Sequence, residues 1–90
     1  MIISKDEILK TISKHGWSFI NNSITKQYKF KTYMDGINFV NKIAIIAERK
    51  NHHPDISIGW CEINLIITSH DLGGVTTNCI NLAIDIDNIL

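Results

Sequence analysis

The spacing of apolar residues changes period several times along the chain, which predicts an alternation of helices and strand pairs. Ser4, followed three residues later by Glu7, is typical of a capping box that opens a helix. We predict the end of this helix at residues 15–16, where glycine tolerates a left-handed backbone. Apolar and polar residues then alternate on both sides of the turn-forming residues 21–23, and this pattern predicts a β-hairpin.

From about Tyr33 to Lys50 the period is again that of a helix, with an apolar face broader than one sheet face requires. This width indicates either a well-buried helix or a helix that also packs against a partner chain. His53-Pro54 ends this helix, because the residue before a proline is disfavoured in the α conformation. A short strand at 56–58, a break at 59–60 and a strand at 63–67 predict a second hairpin. After the loop HDLGG, Thr76 is a candidate N-cap for a largely apolar last helix.

The resulting order α-ββ-α-ββ-α predicts an α+β fold. We expect a four-stranded antiparallel sheet with helices packed on one face. The chain of 90 residues contains no internal repeat, linker or low-complexity segment, so residues 1–90 are predicted to form a single domain. Its small core and the broad apolar face of the second helix also favour a homo-oligomer.

Composition narrows the classes of partner. The formal net charge is zero and no block of basic residues is present, which argues against binding to nucleic acid or to an anionic membrane. No apolar run approaches the ~20 residues of a membrane span, and the start of the chain is too short and too acidic for a signal peptide. The two cysteines, Cys61 and Cys79, make no disulfide framework, so we expect a reducing, cytoplasmic location.

The unusual chemistry lies in NHHPD, at residues 51–55, since the chain has only four histidines. His52 and His53 fall at a predicted helix exit, and His70 follows the second strand of the next hairpin. The ends of neighbouring antiparallel strands are close in space, so a cluster of three histidines is geometrically reasonable. His15, at the end of the first helix, is not placed in this cluster by the same argument.

Three interpretations of the cluster are open from these residues alone. The histidines could be ordinary exposed or locally hydrogen-bonded side chains. They could bind zinc, with Cys61 or Cys79 as a further ligand, although adjacent histidines project in different directions. They could instead act as a metal-free acid and base, because the histidine pKa of about 6.5 lets one ring donate a proton and another accept one near neutral pH.

A resemblance to a known family favours the third interpretation. ERKNHHPDISIGWCEINLIITSH resembles the signature of the pterin-4a-carbinolamine dehydratases, in which an acidic residue, His-His-Pro, an aromatic residue and a further histidine stand at fixed distances. Glu48, residues 52–54, Trp60 and His70 occupy those positions here. The segments GGVTTNCINLA and HGWS are also similar to the family pattern, so the resemblance covers nearly the whole chain.

The resemblance implies the same α-ββ-α-ββ-α fold, assembled as homodimers or homotetramers. It also implies a hydro-lyase without cofactor or metal, a 4a-hydroxytetrahydrobiopterin dehydratase that releases water and quinonoid dihydropterin. Such an enzyme recycles tetrahydropterin for aromatic amino acid hydroxylases. Some animal members also bind a homeodomain transcription factor as a dimerisation cofactor, so the alternative function is a non-catalytic protein-binding module on the same fold. The intact histidines favour the enzyme.

The resemblance also implies roles for individual residues. The expected acid and base are His52, His53 and His70, without an assignment of which ring does which. The expected pterin contacts are these three histidines together with Pro54, Ser69, Asp71 and Leu72. Two supporting residues keep alternatives open. Glu48 either orients His52 from one helical turn away or is solvated, and Trp60 either walls the site or is structural.

The chain departs from the family pattern at two positions. Cys79 stands where the family usually has an aspartate linked to the active-site histidines, and Ile56 stands where an aromatic residue is usual. If Thr76 caps the last helix, Cys79 is its third residue. Three interpretations of Cys79 remain: a small buried filler, a reactive thiol activated by the helix N-terminus, or a partial replacement for the aspartate.

Overall fold

The computed structural model describes residues 2–90, and its elements follow the predicted order. A short 3₁₀ turn, Ser13–His15, extends the first helix. The elements are α1 (Lys5–Ile12), β1 (Ser18–Ile20), β2 (Ser23–Lys29), α2 (Tyr33–Lys50), β3 (Asp55–Ile58), β4 (Glu62–Ile67) and α3 (Thr77–Asn88). The predicted α+β class and element order are therefore confirmed.

The four strands form one antiparallel sheet in the order β1-β2-β4-β3. Each hairpin supplies two neighbouring strands, and the two hairpins join through β2 and β4 at the centre. That central pairing runs from Ile24 opposite Ile67 to Lys29 opposite Glu62. Because side chains alternate between faces along a strand, this register decides which residues enter the core.

The three helices cover one face of this sheet, as predicted. The apolar residues of β2 and β4 that point to the helices are fully buried or nearly so, whereas Thr25, Gln27 and Asn64 lie on the uncovered face. The largest buried side chains come from helices and strands alike: Ile8, Ile12, Ile24, Ile43, Ile63, Leu65, Ile67, Leu82 and Ile86. One continuous apolar core thus joins all the elements. Between residues 2 and 90 there is no helix with both the length and the apolar character that crossing a membrane requires.

The connections use left-handed backbone where the sequence offers residues that tolerate it. Asn21 and Asn22 have φ values of 52° and 60°, and they form the two-residue turn between β1 and β2. Asparagine is one of the few side chains that adopts this region readily. Gly16, with φ of 89°, ends the 3₁₀ turn as predicted. Ser23, which we assigned to the turn, begins β2 instead.

The second helix has defined caps at both ends. The Thr32 hydroxyl accepts a hydrogen bond from the Asp35 backbone N–H at 3.0 Å, which is N-terminal capping. At the other end Asn51 is left-handed, with φ of 50°, and its N–H donates to the carbonyl oxygens of Ala47 and Glu48. The chain has therefore already left the helix at His52, before the proline.

The apolar face of α2 is only partly covered by its own sheet. Gly36, Phe39, Ile43 and Ala47 form the buried stripe. Ile45 remains 60% exposed on another side of the helix. The structure therefore leaves apolar surface on this helix uncovered in the single chain.

A polar network ties the last helix to the first hairpin. One carboxylate oxygen of Asp87 accepts hydrogen bonds from Lys26 Nζ at 2.8 Å and Tyr28 OH at 2.5 Å, and the other accepts from Trp17 Nε1 at 2.9 Å. Burial alone would raise the pKa of Asp87, but the hydrogen bonds from these three donors and the charge of Lys26 outweigh it and lower that pKa. Burial and the neighbouring carboxylate raise the pKa of Tyr28.

Replacing Asp87 by Asn should lower the free energy of unfolding at neutral pH by about 1–3 kcal/mol, because charge-assisted hydrogen bonds are lost in a partly buried place. The native pKa is below the unfolded value of about 3.9. The carboxylate's contribution is therefore complete above that pH and disappears as the pH falls through the native pKa. Urea denaturation at neutral and acidic pH measures both effects.

The matched control is Asp85→Asn. Asp85 lies on the same helix as Asp87, and it forms an ion pair at 2.8 Å with Lys50 of α2 that is more exposed than the Asp87 network. Exposed ion pairs contribute less than about 1 kcal/mol to stability. Equal losses of stability in the two variants would contradict the role assigned to the Asp87 network.

Candidate active site

Three segments of the chain meet in a cleft at one end of the sheet. The segment after α2, the loop after β4 and the start of α3 each contribute side chains. The lining residues are Asn51, His52, His53, Thr68, Ser69, His70, Asp71, Leu72 and Asn78. The cleft has a volume of about 360 Å³, within the range of small-molecule sites. His52, His53 and His70, which the sequence analysis grouped together, all line it.

Strand pairing explains why residues so far apart in sequence share this cleft. Asp55, the first residue of β3, pairs with Ile66 near the end of β4. The segment entering β3 and the segment leaving β4 are therefore neighbours. The carboxylate of Asp55 lies 4.0 Å from His70 Nε2, and both side chains are largely exposed.

His52 is the most enclosed of the three histidines. It is partly buried, whereas His53 and His70 are exposed. Its Nε2 lies 3.2 Å from the Sγ of Cys79 on α3. Burial lowers the pKa of His52, and the positive charges of protonated His53 and His70 lower it further. Both effects favour the neutral form of this ring.

His53 has a different partner. Its Nε2 lies 2.6 Å from Glu48 Oε2, and both side chains are mostly exposed. Glu48 was expected either to orient His52 or to be solvated. The structure instead places its carboxylate against the next histidine, because the left-handed Asn51 turns the chain out of the helix before residue 52 and breaks the helical spacing.

Cys79 occupies the position predicted for it, the third residue of a helix that starts after the N-cap Thr76. Its side chain is fully buried. Besides His52, its Sγ contacts Ser69 Oγ at 3.4 Å and Thr76 Oγ1 at 3.5 Å. Complete burial argues against a reactive thiol. The contact with His52 makes Cys79 a side chain that can hold that ring, as well as one that fills space.

The loop after β4 is pinned by its own backbone. The N–H of Ser69 donates to the carbonyl oxygen of Gly74 at 2.9 Å, and its carbonyl oxygen accepts from Leu72 at 3.1 Å and Gly73 at 2.8 Å. Gly73 has φ of 74°, a left-handed conformation that suits glycine. The loop thereby carries His70 at a defined edge of the cleft.

Two residues carried over from the family resemblance do not line this cleft. Pro54 follows His53 and is partly buried outside the lining. Trp60 is 81% exposed and lies in the β3–β4 turn, in a groove beside Lys29 and Phe30. That turn is at the opposite end of the hairpin from His70. Within the single chain, the proposed wall of the site is therefore not formed by Trp60.

Sequence reasoning also missed several residues at the site. Asp55 near His70, together with Asn51, Thr68 and Asn78 in the lining, was not singled out. Asn51 and Asp55 stand inside the NHHPD motif, and Asn78 immediately precedes Cys79 at the start of the predicted last helix, so these three carried a usable signal. Their partners, and the place of Thr68 in the cleft, depend on the tertiary fold.

The zinc interpretation finds no support in the arrangement of side chains. In the part of the chain that the structure describes, no three His, Cys, Asp or Glu side chains converge as a metal-ligand set. A larger groove of about 680 Å³ lies between α2 and α3. It is lined by Lys42, Ile45, Ile46, Arg49, Lys50, Asp85 and Ile89, and no histidine reaches it.

Comparison with known proteins places the chain in a family. The family model described as pterin 4 alpha carbinolamine dehydratase matches residues 1–89. The chain belongs to the pterin-4a-carbinolamine dehydratase family.

Individual proteins that the chain resembles carry the family's name. A protein of Koribacter versatilis, named "Putative pterin-4-alpha-carbinolamine dehydratase", is 45% identical over 71 residues, 79% of this chain and 76% of its own. A protein of the same name from Sulfurisphaera tokodaii is 37% identical over 89 residues, 98% of this chain and 96% of its own.

Solved structures of pterin dehydratases and related proteins share the fold. The crystal structure of a transcriptional coactivator/pterin dehydratase from Brucella melitensis superposes with a TM-score of 0.93 and 24% identity, covering 99% of this chain and 98% of that one. A pterin dehydratase-like protein described as a RuBisCO assembly factor in the alpha-carboxysome gives a TM-score of 0.70 and 20% identity, covering 83% and 89%. At these identities the likeness supports the fold alone.

The electrostatics of the cleft can be tested by titration. Replacing His70 by Ala removes a positive charge near His52, so the pKa of His52 should rise toward the ordinary value of about 6.5. NMR titration of the ring signals measures this directly. His15→Ala is the control, because His15 ends the 3₁₀ turn outside the cleft lining. An unchanged His52 pKa in His70→Ala would show that the two rings do not interact.

Proposed function

We propose that the protein is a dehydratase that converts 4a-hydroxytetrahydropterin to quinonoid dihydropterin and water by histidine acid–base catalysis. The observation that carries this proposal is the convergence of His52, His53 and His70 on one cleft of small-molecule size. Family membership supports the same chemistry. The physiological role that follows is the recycling of tetrahydropterin for an aromatic amino acid hydroxylase.

The reaction needs two proton transfers and no change of oxidation state. A donor gives a proton or a hydrogen bond to the 4a-hydroxyl, so that this group leaves as water when its bond to C4a breaks. An acceptor takes the proton from N5, and the electron pair of the N5–H bond forms the C4a–N5 double bond. Histidine rings suit both transfers near neutral pH.

The cleft offers histidines in different environments for these two tasks. His52 is partly buried against Cys79, whereas His53 contacts the carboxylate of Glu48. His70 lies near the carboxylate of Asp55. Titratable groups whose surroundings favour different protonation states are a common basis for dividing acid and base roles.

The rim of the cleft supplies groups for binding the polar edge of a pterin ring. Ser69, Asp71 and Asn78 bring a hydroxyl, a carboxylate and an amide to the lining. Leu72, 54% exposed, adds an apolar contact at the same edge. A flat ring with several donors and acceptors needs such a mixed rim.

Substituting Ala for His52, His53 or His70 should lower kcat/KM for dehydration of the carbinolamine. A positioned proton-transfer group contributes about 10²- to 10⁴-fold, and at least one variant should reach that range. Double variants should lose less than the product of the single losses, because acid and base act together. The assay generates the carbinolamine with a hydroxylase and follows its decay in the ultraviolet with and without the protein.

His15→Ala is the matched control for this series and should keep wild-type turnover, because His15 is not part of the cleft lining. Activity should also persist in the presence of a chelator. Three histidine variants with wild-type kcat/KM would refute the acid–base assignment. Loss of activity with a chelator and its restoration by zinc would refute the metal-free mechanism.

We also propose that the chain works as a homodimer or homotetramer. The support is the uncovered apolar surface of α2, where Met34 and Ile45 are 59% and 60% exposed. The same surface would serve the second candidate function, a non-catalytic module that binds another protein. Turnover in the assay above separates the two functions.

Sedimentation at micromolar concentration should give a mass that is a multiple of the 10.2 kDa chain. Ile45→Asp should shift the distribution toward the monomer, because a charge at a buried interface is costly. The control is Lys29→Asp, a charge change on the uncovered sheet face. A monomeric wild-type protein would contradict the proposal.

A further inference from the structure

We propose that Cys79 and Glu48 hold the two adjacent histidines in opposite tautomers. In this arrangement His52 presents a protonated Nδ1 to the substrate as a hydrogen-bond donor, and neutral His53 presents an unprotonated Nδ1 as an acceptor. Cys79 and Glu48 are thus positioning residues. The catalytic consequence rests on the proposed dehydratase function, whereas the tautomers are a property of the free protein.

The assignment for His53 follows from its partner. Glu48 Oε2 lies 2.6 Å from His53 Nε2. An ionised carboxylate can only accept a hydrogen bond, so Nε2 must carry the proton. In the neutral ring Nδ1 is then left with its lone pair. This is the state that a proton acceptor requires.

The assignment for His52 follows from a thiol in place of a carboxylate. Cys79 Sγ lies 3.2 Å from His52 Nε2. A thiol carries a proton, and its sulfur is a weak acceptor, whereas an unprotonated imidazole nitrogen is a good one. Two hydroxyl groups already surround the sulfur and can fill its acceptor capacity, so we assign S–H as the donor to Nε2. In the neutral ring the proton then resides on Nδ1.

Two hydroxyl groups around Cys79 support this direction. Ser69 Oγ and Thr76 Oγ1 lie 2.9 Å apart, and they lie 3.4 Å and 3.5 Å from the Cys79 sulfur. Ser69 can donate to Thr76, Thr76 to the sulfur and the thiol to His52. All three hydrogen bonds then point in the same direction, and hydrogen bonds in such a chain strengthen one another. Cys79 is fully buried and Thr76 is 4% exposed, so water does not compete strongly.

The Nδ1 atom of each ring makes no hydrogen bond within residues 2–90. Both rings line the same cleft. Among residues 2–90, the hydrogen bonds of His52 and His53 side chains run through Nε2 alone. Adjacent histidines on one loop would otherwise have similar properties. Here the thiol of Cys79 contacts His52 and the carboxylate of Glu48 contacts His53. Nδ1 of His52 is therefore a donor, and Nδ1 of His53 is an acceptor.

The tautomers are measured by ¹⁵N NMR of the histidine rings in the substrate-free protein, well above the ordinary histidine pKa of about 6.5. We expect His52 to show a protonated Nδ1 and an unprotonated Nε2, and His53 to show the reverse. A protonated Nε2 in His52, or a mixture of its tautomers, would overturn the proposal. So would a protonated Nδ1 in neutral His53.

Variants at position 79 test the cause. Cys79→Asp provides an acceptor without a proton, so His52 should switch to a protonated Nε2. Cys79→Ser keeps a donor and should keep the wild-type tautomer. Cys61→Asp is the matched control, since Cys61 lies outside the cleft lining and near the Lys31 carbonyl oxygen. An unchanged His52 tautomer in Cys79→Asp would overturn the role of the thiol. If Cys79→Asp does not fold, the His52 tautomers of the wild type and of Cys79→Ser still test the proposal.

A kinetic measurement distinguishes positioning from packing. In Cys79→Asp, Nδ1 of His52 carries a proton only while the ring is charged. As the pH rises through the His52 pKa, kcat/KM should fall by about 10²-fold or more. The wild type and Cys79→Ser should show no such loss tied to His52. An identical pH profile in Cys79→Asp would overturn the donor role. Absent turnover in all variants would refute the proposed function while leaving the tautomer result intact.

Other charged or titratable groups near His52 can also affect the pH profile of kcat/KM. His53, itself paired with Glu48, precedes β3, and the other groups come from α2, β3, α3 and the loop after β4. The charged or titratable residues that share a pocket with His52, or contact it or its histidine neighbours, are Glu48, Lys50, His53, Asp55, His70, Asp71 and Cys79. Only position 79 differs between the compared variants, so a change in the profile reports on that side chain.

Discussion

The ladder between β2 and β4 is the constraint on which the rest of this molecule depends. Its register sets Ile24 opposite Ile67 and Tyr28 opposite Ile63, so that apolar side chains from both hairpins point to the helices. A slip of one residue would turn all of them to solvent. The same register places Lys26 and Tyr28 on the helix side, within reach of Asp87. Helix α3 is thereby held against the sheet by polar contacts as well as by its apolar face.

The cleft is a consequence of this packing. Because β4 is fixed at the centre of the sheet, the loop that follows it starts from a defined point and closes through the Ser69 and Gly74 backbone. Helix α3 then begins directly beneath the segment that leaves α2, which brings Cys79 under His52. Cys79 belongs to the buried core and also contacts His52, and Ser69 and Thr76 contact its sulfur. The position of His52 therefore depends on contacts that also stabilise the fold.

The histidine contacts also link the chemistry to stability. The unfolded chain protonates a histidine near pH 6.5, whereas burial and the charges of His53 and His70 oppose protonation of His52 in the folded protein. The unfolded state therefore binds more protons just below that pH. Stability is unaffected above about 6.5 and falls as the pH decreases toward the lower native pKa. The lowered pKa of His52 therefore decreases the free energy of unfolding under acidic conditions.

The sequence by itself determined the order of elements, the antiparallel sheet and the grouping of His52, His53 and His70, because periodicity, caps and strand ends are local properties. It also marked Cys79 as the unusual position. Only the tertiary structure decided the partners of these residues. Glu48 meets His53 because Asn51 turns left-handed at the end of α2. Trp60 lies at the far end of its hairpin. Contacts of this kind depend on sub-ångström placement of segments distant in sequence, which no local pattern encodes.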